Sequence, residues 1–268
     1  MTPDPARLLP ILERYYDTAP RALCDIEEVG PFTLFVRREG FPYYARPRLG
    51  LEGSTSSADV EKVLRRQREL DVPQSLEWVH ETTPSLLDAA RSAGLSVLEC
   101  PLLVLTVDPP VPPPSPDVRV LSPEDPDLPL VWAAISVGFA NLGTAIGESS
   151  IVERDAEAGA GPLAAERLVA LIEAGLTVLV GAFEPDVGPV GGGSHNPRED
   201  VTEIVGVAVL PAFRRRGLAA AITGRLARNA VDNGVETVFC SAADEAVARI
   251  YEFVGFRRVG TACIADVA

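Results

Sequence analysis

One stretch of the chain combines residue types that suit the binding of a negatively charged group. It reads EIVGVAVLPAFRRRGLA over Glu203–Ala219, an apolar run followed by a proline, an arginine triplet and a glycine. The pattern predicts a strand that ends at the proline and a helix that begins near Gly217. The first N–H groups of a helix have no partner inside it and carry partial positive charge. A helix that begins directly after a strand is therefore a natural anion site.

Two features of this junction favour a phosphate as the anion. Gly217 and Ala219 are small, so the main chain can approach a bulky group that a larger side chain would keep away. Positive charge in an otherwise acidic chain comes from Arg214, Arg215 and Arg216. A surface turn with basic residues has the same composition, so these residues alone leave both interpretations open.

A second stretch, DEAVARIYEFVGF over Asp244–Phe256, predicts a helix that ends at a glycine and carries a tyrosine in its last turn. Taken together, the two stretches resemble the GNAT superfamily of N-acetyltransferases. That family has a strand followed by Gln/Arg-x-x-Gly-x-Gly/Ala at a helix start, and a later helix that ends in Tyr-x-x-x-Gly-Phe. The residues that match the first motif are Arg214, Gly217 and Ala219. The residues that match the second are Tyr251, Gly255 and Phe256.

The resemblance implies acetyl-CoA as the acetyl donor. Its pyrophosphate would rest on the main-chain amides of Arg215, Arg216, Gly217, Leu218, Ala219 and Ala220. Its pantetheine arm would pair, like an added strand, with the edge formed by Val207, Ala208 and Val209. Asp244 stands where the family usually has an asparagine that hydrogen-bonds near the cofactor. These residues, with Arg214, form the candidate cofactor site.

Acetyl transfer to an amine also needs an acid and a base. A protonated alkyl amine has a pKa of about 10.4, so a base must remove its proton before it attacks. Glu203 begins the predicted strand, and in some GNAT enzymes a strand glutamate at this position is the base. A solvated strand-edge glutamate is the alternative, and the carboxylate of Ala268 is a minor rival.

Tyr251 matches the family's usual proton donor to the departing thiolate. The alternative is that Tyr251 is only a half-buried aromatic residue of the helix. An N–H of the 207–209 segment would stabilise the oxyanion.

The segment Phe139–Ser149, FANLGTAIGES, lies between helices predicted at 127–139 and 158–174. In the resembled family this region helps to form the acceptor site. The candidate acceptor contacts are Asn141, Thr144 and Glu148.

A triglycine at 191–193 precedes Ser194 and His195. No helix is predicted after it, so a flexible strand or turn is expected rather than a phosphate-binding loop. His195 could face the acceptor pocket, but a position in a surface loop is expected.

A proline-rich run, DPPVPPPSPD over 108–117, divides the chain, because proline fixes φ and removes a backbone donor. We interpret it as a semi-rigid linker between a domain at 1–107 and a domain at 118–268. The first domain is predicted in the order β-β-α-β-α-β, with Ser57 as the N-cap of the first helix in that order. It is interpreted as a degenerate GNAT-like half that binds no cofactor, because Gly50–Ser57 occupies the turn equivalent to the arginine triplet without an arginine.

The predicted fold class is α/β (α+β mixed sheet), with tandem GNAT-like domains, each a twisted, mostly antiparallel sheet flanked by helices.

Composition argues against several other classes of protein. The 268 residues are 47% apolar and carry a formal net charge of −14, which suits a globular core but disfavours nucleic acid and anionic lipid as partners. No apolar run approaches the length of a membrane-spanning helix, and no secretory signal is visible at the N-terminus, so a cytoplasmic location is expected. The four cysteines and two histidines lack the spacing of a metal site, so no metal is expected and the thiols are expected to be reduced.

The sequence therefore predicts an N-acetyltransferase in which an acceptor amine attacks acetyl-CoA directly in a ternary complex. The acceptor is a small-molecule or a protein amine, and the sequence does not choose between them. The alternative is a non-catalytic acyl-CoA-binding regulatory or interaction protein, which Asp244 and the degenerate first half motivate. The oligomeric state is not predicted.

Overall fold

The structure is a computed structural model that describes residues 4–37, 42–106, 117–160 and 162–267. Its helices are α1 (Pro5–Thr18), α2 (Ser57–Glu69), α3 (Ser85–Ser92), α4 (Leu128–Ala140), α5 (Ile151–Ala160), α6 (Pro162–Glu173), α7 (Leu218–Asp232) and α8 (Glu245–Val254). Its strands are β1 (Asp25–Val29), β2 (Phe32–Val36), β3 (Arg46–Pro47), β4 (Ser75–Val79), β5 (Leu95–Leu105), β6 (Asp117–Val120), β7 (Val178–Glu184), β8 (Gly188–Arg198), β9 (Val201–Val209), β10 (Thr237–Ser241) and β11 (Phe256–Val267).

The chain divides into two compact units. One is formed by Pro3–Leu102 with Arg258–Ala268, and the main segment of the other is Leu103–Arg257. Most of β11 therefore groups with the first hundred residues, whereas the sequence analysis placed this strand in the domain at 118–268. The linker predicted at 108–117 lies outside the described residues, apart from Asp117 at the start of β6.

The first unit contains α1, α2 and α3, a small antiparallel sheet in the order β1-β2-β3, and strands in the order β4-β11-β5. Strand β11 pairs antiparallel with β4 from Ala262↔Val79 to Asp266↔Ser75. The fully buried side chains of Phe32, Trp78 and Leu86 belong to its hydrophobic core.

The second unit has strands in the order β10-β9-β8-β7-β6. The pairs from β6 to β9 are antiparallel, and β9 pairs with β10 in parallel. Helix α4 covers one face through Val131 and Ile135, since a Cβ placed on Gly192 would lie 2.7 Å from Val131 Cγ1 and 3.0 Å from Ile135 Cδ1. Helix α7 covers the other face through Ile222 and Leu226, each 3.2 Å from a Cβ placed on Gly193.

This close packing explains the triglycine at 191–193. The three glycines lie inside β8, and a Cβ on any of them would come within 3.0 Å of a neighbouring atom. Of the two expected alternatives, strand and turn, the strand is therefore the one found. The side chains are absent because two helices and two strands leave no room for them.

The predicted class, a mixed fold of mostly antiparallel strands flanked by helices, is confirmed. Local details differ. Strand β1 was not predicted, and the helix expected at 158–174 is two helices, α5 and α6. The N-cap of α2 is Ser56 rather than Ser57, because the Ser56 side chain accepts from the N–H of Asp59. Throughout the described ranges, every helix is too short or too polar to cross a bilayer.

Candidate functional site

The candidate site is built around an irregularity in β9. Between Gly192↔Ala208 and Ser194↔Val205 the register shifts, so that β9 has one more residue than β8. The extra residue is accommodated at Gly206, whose φ of 69° lies in the left-handed region that favours glycine. A bulge of this kind turns main-chain groups out of the regular ladder and increases the local twist.

On its other side, β9 separates from β10. Their parallel pairing runs from Val201↔Thr237 to Glu203↔Phe239 and ends there, whereas β9 continues to Val209 and β10 to Ser241. The edge of β9 that contains Val207, Ala208 and Val209 therefore lies beyond the last β9/β10 pair. An exposed strand edge offers N–H and C=O groups to an extended ligand.

Helix α7 begins close to the end of this edge. Its N-cap, Gly217, has a φ of 79°, and no side chain within the described part of the chain caps this end. The N–H groups of Leu218, Ala219 and Ala220 form the first turn, where a helix has no internal acceptors. A Cβ on Gly217 would meet nothing within 4 Å, so the space in front of this turn is open.

The three arginines before Gly217 have different roles. The Arg214 guanidinium donates to the carbonyl oxygens of Val209 (3.2 Å), Gly138 (3.0 Å), Asn141 (2.6 Å) and Ala145 (3.3 Å). Burial of this group lowers the pKa of Arg214. Its side chain thus joins the end of α4 and the following loop to the end of β9.

The other two arginines face outward. Arg216 lies 3.4 Å from the carboxylate of Glu184 and 5.0 Å from the ring centre of Phe213. Arg215 is exposed and has a φ of 66°, so its main chain is turned at the point where the helix is about to begin. These positions leave the main-chain amides of the turn as the groups closest to the start of α7.

Tyr251, Glu203 and Cys240 influence one another electrostatically. The Tyr251 ring is buried on α8 and packs 6.0 Å from the ring of Phe256. Burial raises the pKa of Tyr251 well above its usual range, and the charges of Cys240 and Glu203 raise it further. Burial, followed by the charge of Glu203, also raises the pKa of the Cys240 thiol. Tyr251 is therefore not the half-buried aromatic of the alternative interpretation.

Cys240 was not singled out from the sequence. It directly follows Phe239, the last β10 residue paired with β9, and is fully buried. Only the register of a long-range strand pair identifies that position, so a sequence pattern gave no signal for it. Glu203 is partly buried and lies at the last β9/β10 pair.

Asp244 is the N-cap of α8. Its carboxylate accepts from the N–H of Val247 at 2.8 Å, and the residue is exposed. This hydrogen bond satisfies one of the unpaired N–H groups at the helix start. The side chain that replaces the family's asparagine thus has a structural partner of its own.

The loop 141–149 lies beside the short 3-10 helix Pro211–Phe213. The N–H of Gly147 donates to the carbonyl of Pro211 at 3.2 Å, and the N–H of Ala212 donates to the carbonyl of Ser149 at 3.1 Å. Asn141 ends α4, and its side-chain amide donates to the carbonyl of Val137 at 2.8 Å.

The candidate acceptor residues in this loop are therefore not equivalent. The Asn141 side chain is already bonded within the protein, whereas Thr144 is half-exposed and Glu148 is exposed.

His195 was wrongly expected at the surface. It lies within β8, is 2% exposed, and its ring nitrogens are 3.0 Å from Thr202 Oγ1 and 2.9 Å from Asn229 Oδ1. Since Oδ1 only accepts, Nε2 carries the proton and Nδ1 accepts from Thr202. Burial lowers the pKa of His195, and the hydrogen bond to Asn229 partly offsets this effect.

An uncapped helix start, a strand edge beyond its last pair and a bulge beside them are the parts of a site for an extended, anionic ligand. The family model described as acetyltransferase (GNAT) family matches residues 152–256. Residues 152–256 thus form a GNAT-family domain, which implies acyl transfer from an acyl-CoA donor.

Solved structures extend the likeness to most of the chain. A GCN5-related N-acetyltransferase from Kribbella flavida is 21% identical, with a TM-score of 0.70 and coverage of 97% of this chain and 96% of that one. A GCN5-related N-acetyltransferase-like protein from Streptococcus suis is 13% identical, with a TM-score of 0.52 and coverage of 98% and 99%. A tandem GNAT protein from the clavulanic acid biosynthesis pathway is 14% identical, with a TM-score of 0.50 and coverage of 88% and 78%. No curated protein is a significant match to the sequence. The predicted resemblance and the tandem GNAT-like fold are confirmed.

Proposed function

We propose that the protein is an N-acetyltransferase in which an acceptor amine attacks acetyl-CoA directly in a ternary complex. The observation that carries the proposal is the end of β9/β10 pairing at Glu203↔Phe239, with an uncapped helix start at the far end of the freed edge. A strand edge followed by a helix N-terminus fits a ligand whose amide-containing arm pairs with the edge and whose pyrophosphate binds at the helix start.

The residues around this opening fit such a ligand. The N–H groups from Arg215 to Ala220 would hold the pyrophosphate, and the edge of Val207 to Val209 would pair with the amides of the pantetheine arm. When bound, acetyl-CoA supplies an activated acetyl group. A freed N–H of β9 near the Gly206 bulge would donate to the negative charge that develops on the acetyl oxygen.

Tyr251 is proposed as the general acid. The hydroxyl, whose pKa is raised by burial and by neighbouring charges, is protonated at neutral pH and so carries a proton for the departing thiolate. The departing thiolate has a pKa of about 8.5 and is a better leaving group when it receives that proton. The electrostatic influence of Cys240 and Glu203, which lie at the end of the β9/β10 pairing, supports this role for Tyr251.

Glu203 is proposed as the base that takes the amine proton, directly or through a water. It sits at the last β9/β10 pair and is partly buried. In Glu203→Gln the residual rate should depend on amine that is already unprotonated. It should then rise roughly tenfold per pH unit below the pKa of the amine, whereas the parent rate should rise less steeply.

The test is release of free CoA thiol from acetyl-CoA in the presence and absence of an amine panel. Tyr251→Phe should lower turnover roughly 10- to 1000-fold while the affinity for acetyl-CoA changes little. Tyr15→Phe, a change at a buried tyrosine of α1, is the matched control and should retain turnover.

The same assay separates the alternative function. Binding of acetyl-CoA without amine-dependent thiol release, unchanged by Tyr251→Phe, would identify a non-catalytic acyl-CoA-binding protein. The commitment of the Asp244 side chain to the cap of α8 is the observation that favours this alternative.

A further inference from the structure

Resting on the proposed acetyl transfer, we infer that the preferred acceptor is a monoamine with an apolar alkyl or aryl substituent. The substituent would pack on exposed apolar side chains after α4. This apolar loop surface is defined by Phe139, Leu142 and Ile146.

The exposure of these side chains is unusual for one short segment. Phe139 is 53% exposed, Leu142 90% and Ile146 66%. Single exposed apolar residues are ordinary, but several together mark a surface that binds something apolar. Two further apolar side chains flank the loop, Trp132 on α4 at 37% and Val152 on α5 at 69%.

The backbone of this loop is anchored by hydrogen bonds. The Arg214 guanidinium binds the carbonyl oxygens of Gly138, Asn141 and Ala145, each of which directly precedes one of the three exposed residues. The Gly147 N–H bonds to Pro211. The Arg214 charge is thereby directed to carbonyl groups beneath the loop rather than to an incoming molecule.

The apolar loop surface begins where α4 meets the freed edge of β9. A Cβ on Gly138 would lie 2.8 Å from Ala208 Cβ and 3.3 Å from the Val209 nitrogen, so the helix end rests directly on this strand. Phe139 is the next residue. Because α4 and α7 cover opposite faces of the sheet, the apolar loop surface approaches β9 from the face opposite α7. An acceptor resting there would lie beside the strand edge that is proposed to hold the pantetheine arm.

Glu148 is an exposed carboxylate in the same segment and could pair with one ammonium group. The neighbouring acids each accept one hydrogen bond within the protein, Glu153 from the Ser150 N–H at 2.7 Å and Glu157 from the Ser136 hydroxyl at 2.7 Å. A monoamine would pair its ammonium with Glu148 and pack its substituent on the apolar loop surface.

The experiment measures kcat/KM for straight-chain primary amines from methylamine to hexylamine, with spermidine and an amino sugar for comparison. Each buried methylene is worth about 0.8 kcal/mol, so partial burial should raise kcat/KM roughly two- to fourfold per methylene. Leu142→Asn and Ile146→Asn should reduce the ratio of hexylamine to methylamine. The matched control is Leu98→Asn, a change at a 52% exposed leucine of β5, which should keep that ratio.

The outcomes separate this inference from the proposed function. If amines are acetylated but kcat/KM is flat along the series, or the polycations are preferred, the inference is overturned and acetyl transfer stands. If the two loop variants change the sedimentation coefficient and not the ratio, the surface is a contact between copies of the chain and the inference again fails. If no amine releases CoA thiol, the proposed function and the inference fall together.

Discussion

The starts of α2 and α7 show two opposite solutions to the same physical problem. At α2 the Ser56 side chain accepts from the Asp59 N–H at 3.3 Å, and the Asp59 carboxylate accepts from the Ser56 N–H at 3.0 Å. At α7 the N-cap is a left-handed glycine, no side chain in the described ranges caps the helix, and the space in front is open. The N–H groups at the start of α2 are thus hydrogen-bonded by side chains of the protein. The first N–H groups of α7 remain available to a ligand.

This difference explains why the second unit, which contains α7, is proposed to bind the cofactor and the first unit, which contains α2, is not. A carboxylate at the start of α2 already occupies the position of an anion and would repel another. The start of α7 follows three arginines and has no acidic cap. If the first half binds no cofactor, as predicted, the reciprocal Ser56 and Asp59 cap is a specific physical reason for it.

The largest expected effect is at Gly217. Gly217→Val should weaken acetyl-CoA binding by roughly a hundredfold or more, because a branched side chain at this φ costs about 1–3 kcal/mol and fills the open space before the amides. Calorimetric titration with acetyl-CoA measures it. Gly234→Val is the matched control, since Gly234 has a φ of 85° and equally open surroundings. An equal loss of affinity in the control would remove Gly217 from the site.

A charge comparison at the same position sharpens the result. Gly217→Asp and Gly217→Asn have the same shape, and both residue types tolerate a left-handed conformation. If the helix start binds an anion, the aspartate variant should bind acetyl-CoA more weakly than the asparagine variant. The difference in acetyl-CoA affinity between the two variants should become smaller as salt is added. Equal affinities would contradict an anion at this helix start.

Much of the α7 region could be predicted because its signals are local. A proline ends β9, a glycine begins the helix, and Tyr251 lies at a fixed spacing from Gly255, so the sequence alone places each near its true position. The α2 cap was predicted one residue away, since Ser56 and Ser57 are adjacent and both are plausible caps.

What could not be predicted depends on contacts between distant segments. The bulge at Gly206 exists only relative to β8, and Cys240 adjoins the site because pairing stops at Phe239. Arg214 matched a family motif, but its bonds to the carbonyls of Gly138 and Asn141 depend on where α4 ends in space. The burial of His195 likewise follows from the packing of α7 on β8 and β9.

A further prediction concerns Arg214, whose side chain joins the end of α4 to the end of β9, close to the start of α7. Arg214→Lys should lower the free energy of unfolding by about 1–3 kcal/mol, because an ammonium group cannot reproduce a fork that serves separated carbonyl oxygens. The KM for the amine should rise more than that for acetyl-CoA, since the loop 141–149 loses its anchor. Urea unfolding and steady-state kinetics measure the two effects. Arg215→Lys, at an exposed side chain, should leave the free energy of unfolding unchanged, and an equal loss there would refute the anchoring role.

The two helices are also anchored differently along their lengths. In α2 the Gln67 side-chain amide donates to the Ser75 carbonyl at 2.8 Å, a bond without a titratable group, whereas α7 is joined to β8 through Asn229 and His195. Because burial lowers the pKa of His195, the unfolded chain binds its proton more readily. The free energy of unfolding should therefore fall as the pH falls below about 6.5.

His195→Gln should remove this part of the pH dependence. The slope of unfolding free energy against pH should be smaller in the variant between neutral pH and about pH 5, where other acids contribute equally to both proteins. His80→Gln controls for loss of an imidazole elsewhere in the chain. An unchanged slope in His195→Gln would show that this buried ring does not contribute.

The smallest expected effect is at the start of α2, where Ser56→Ala removes the capping hydroxyl. The free energy of unfolding should fall by about 1 kcal/mol, the usual loss for an N-cap serine. Affinity for acetyl-CoA should not change, because this helix start is satisfied within the protein. Ser57→Ala, one residue further along, changes the same side chain without removing the cap, and urea unfolding of both variants isolates the capping contribution. A gain or loss of acetyl-CoA affinity in Ser56→Ala would erase the distinction between the two helix starts, because it would make α2 part of a cofactor site.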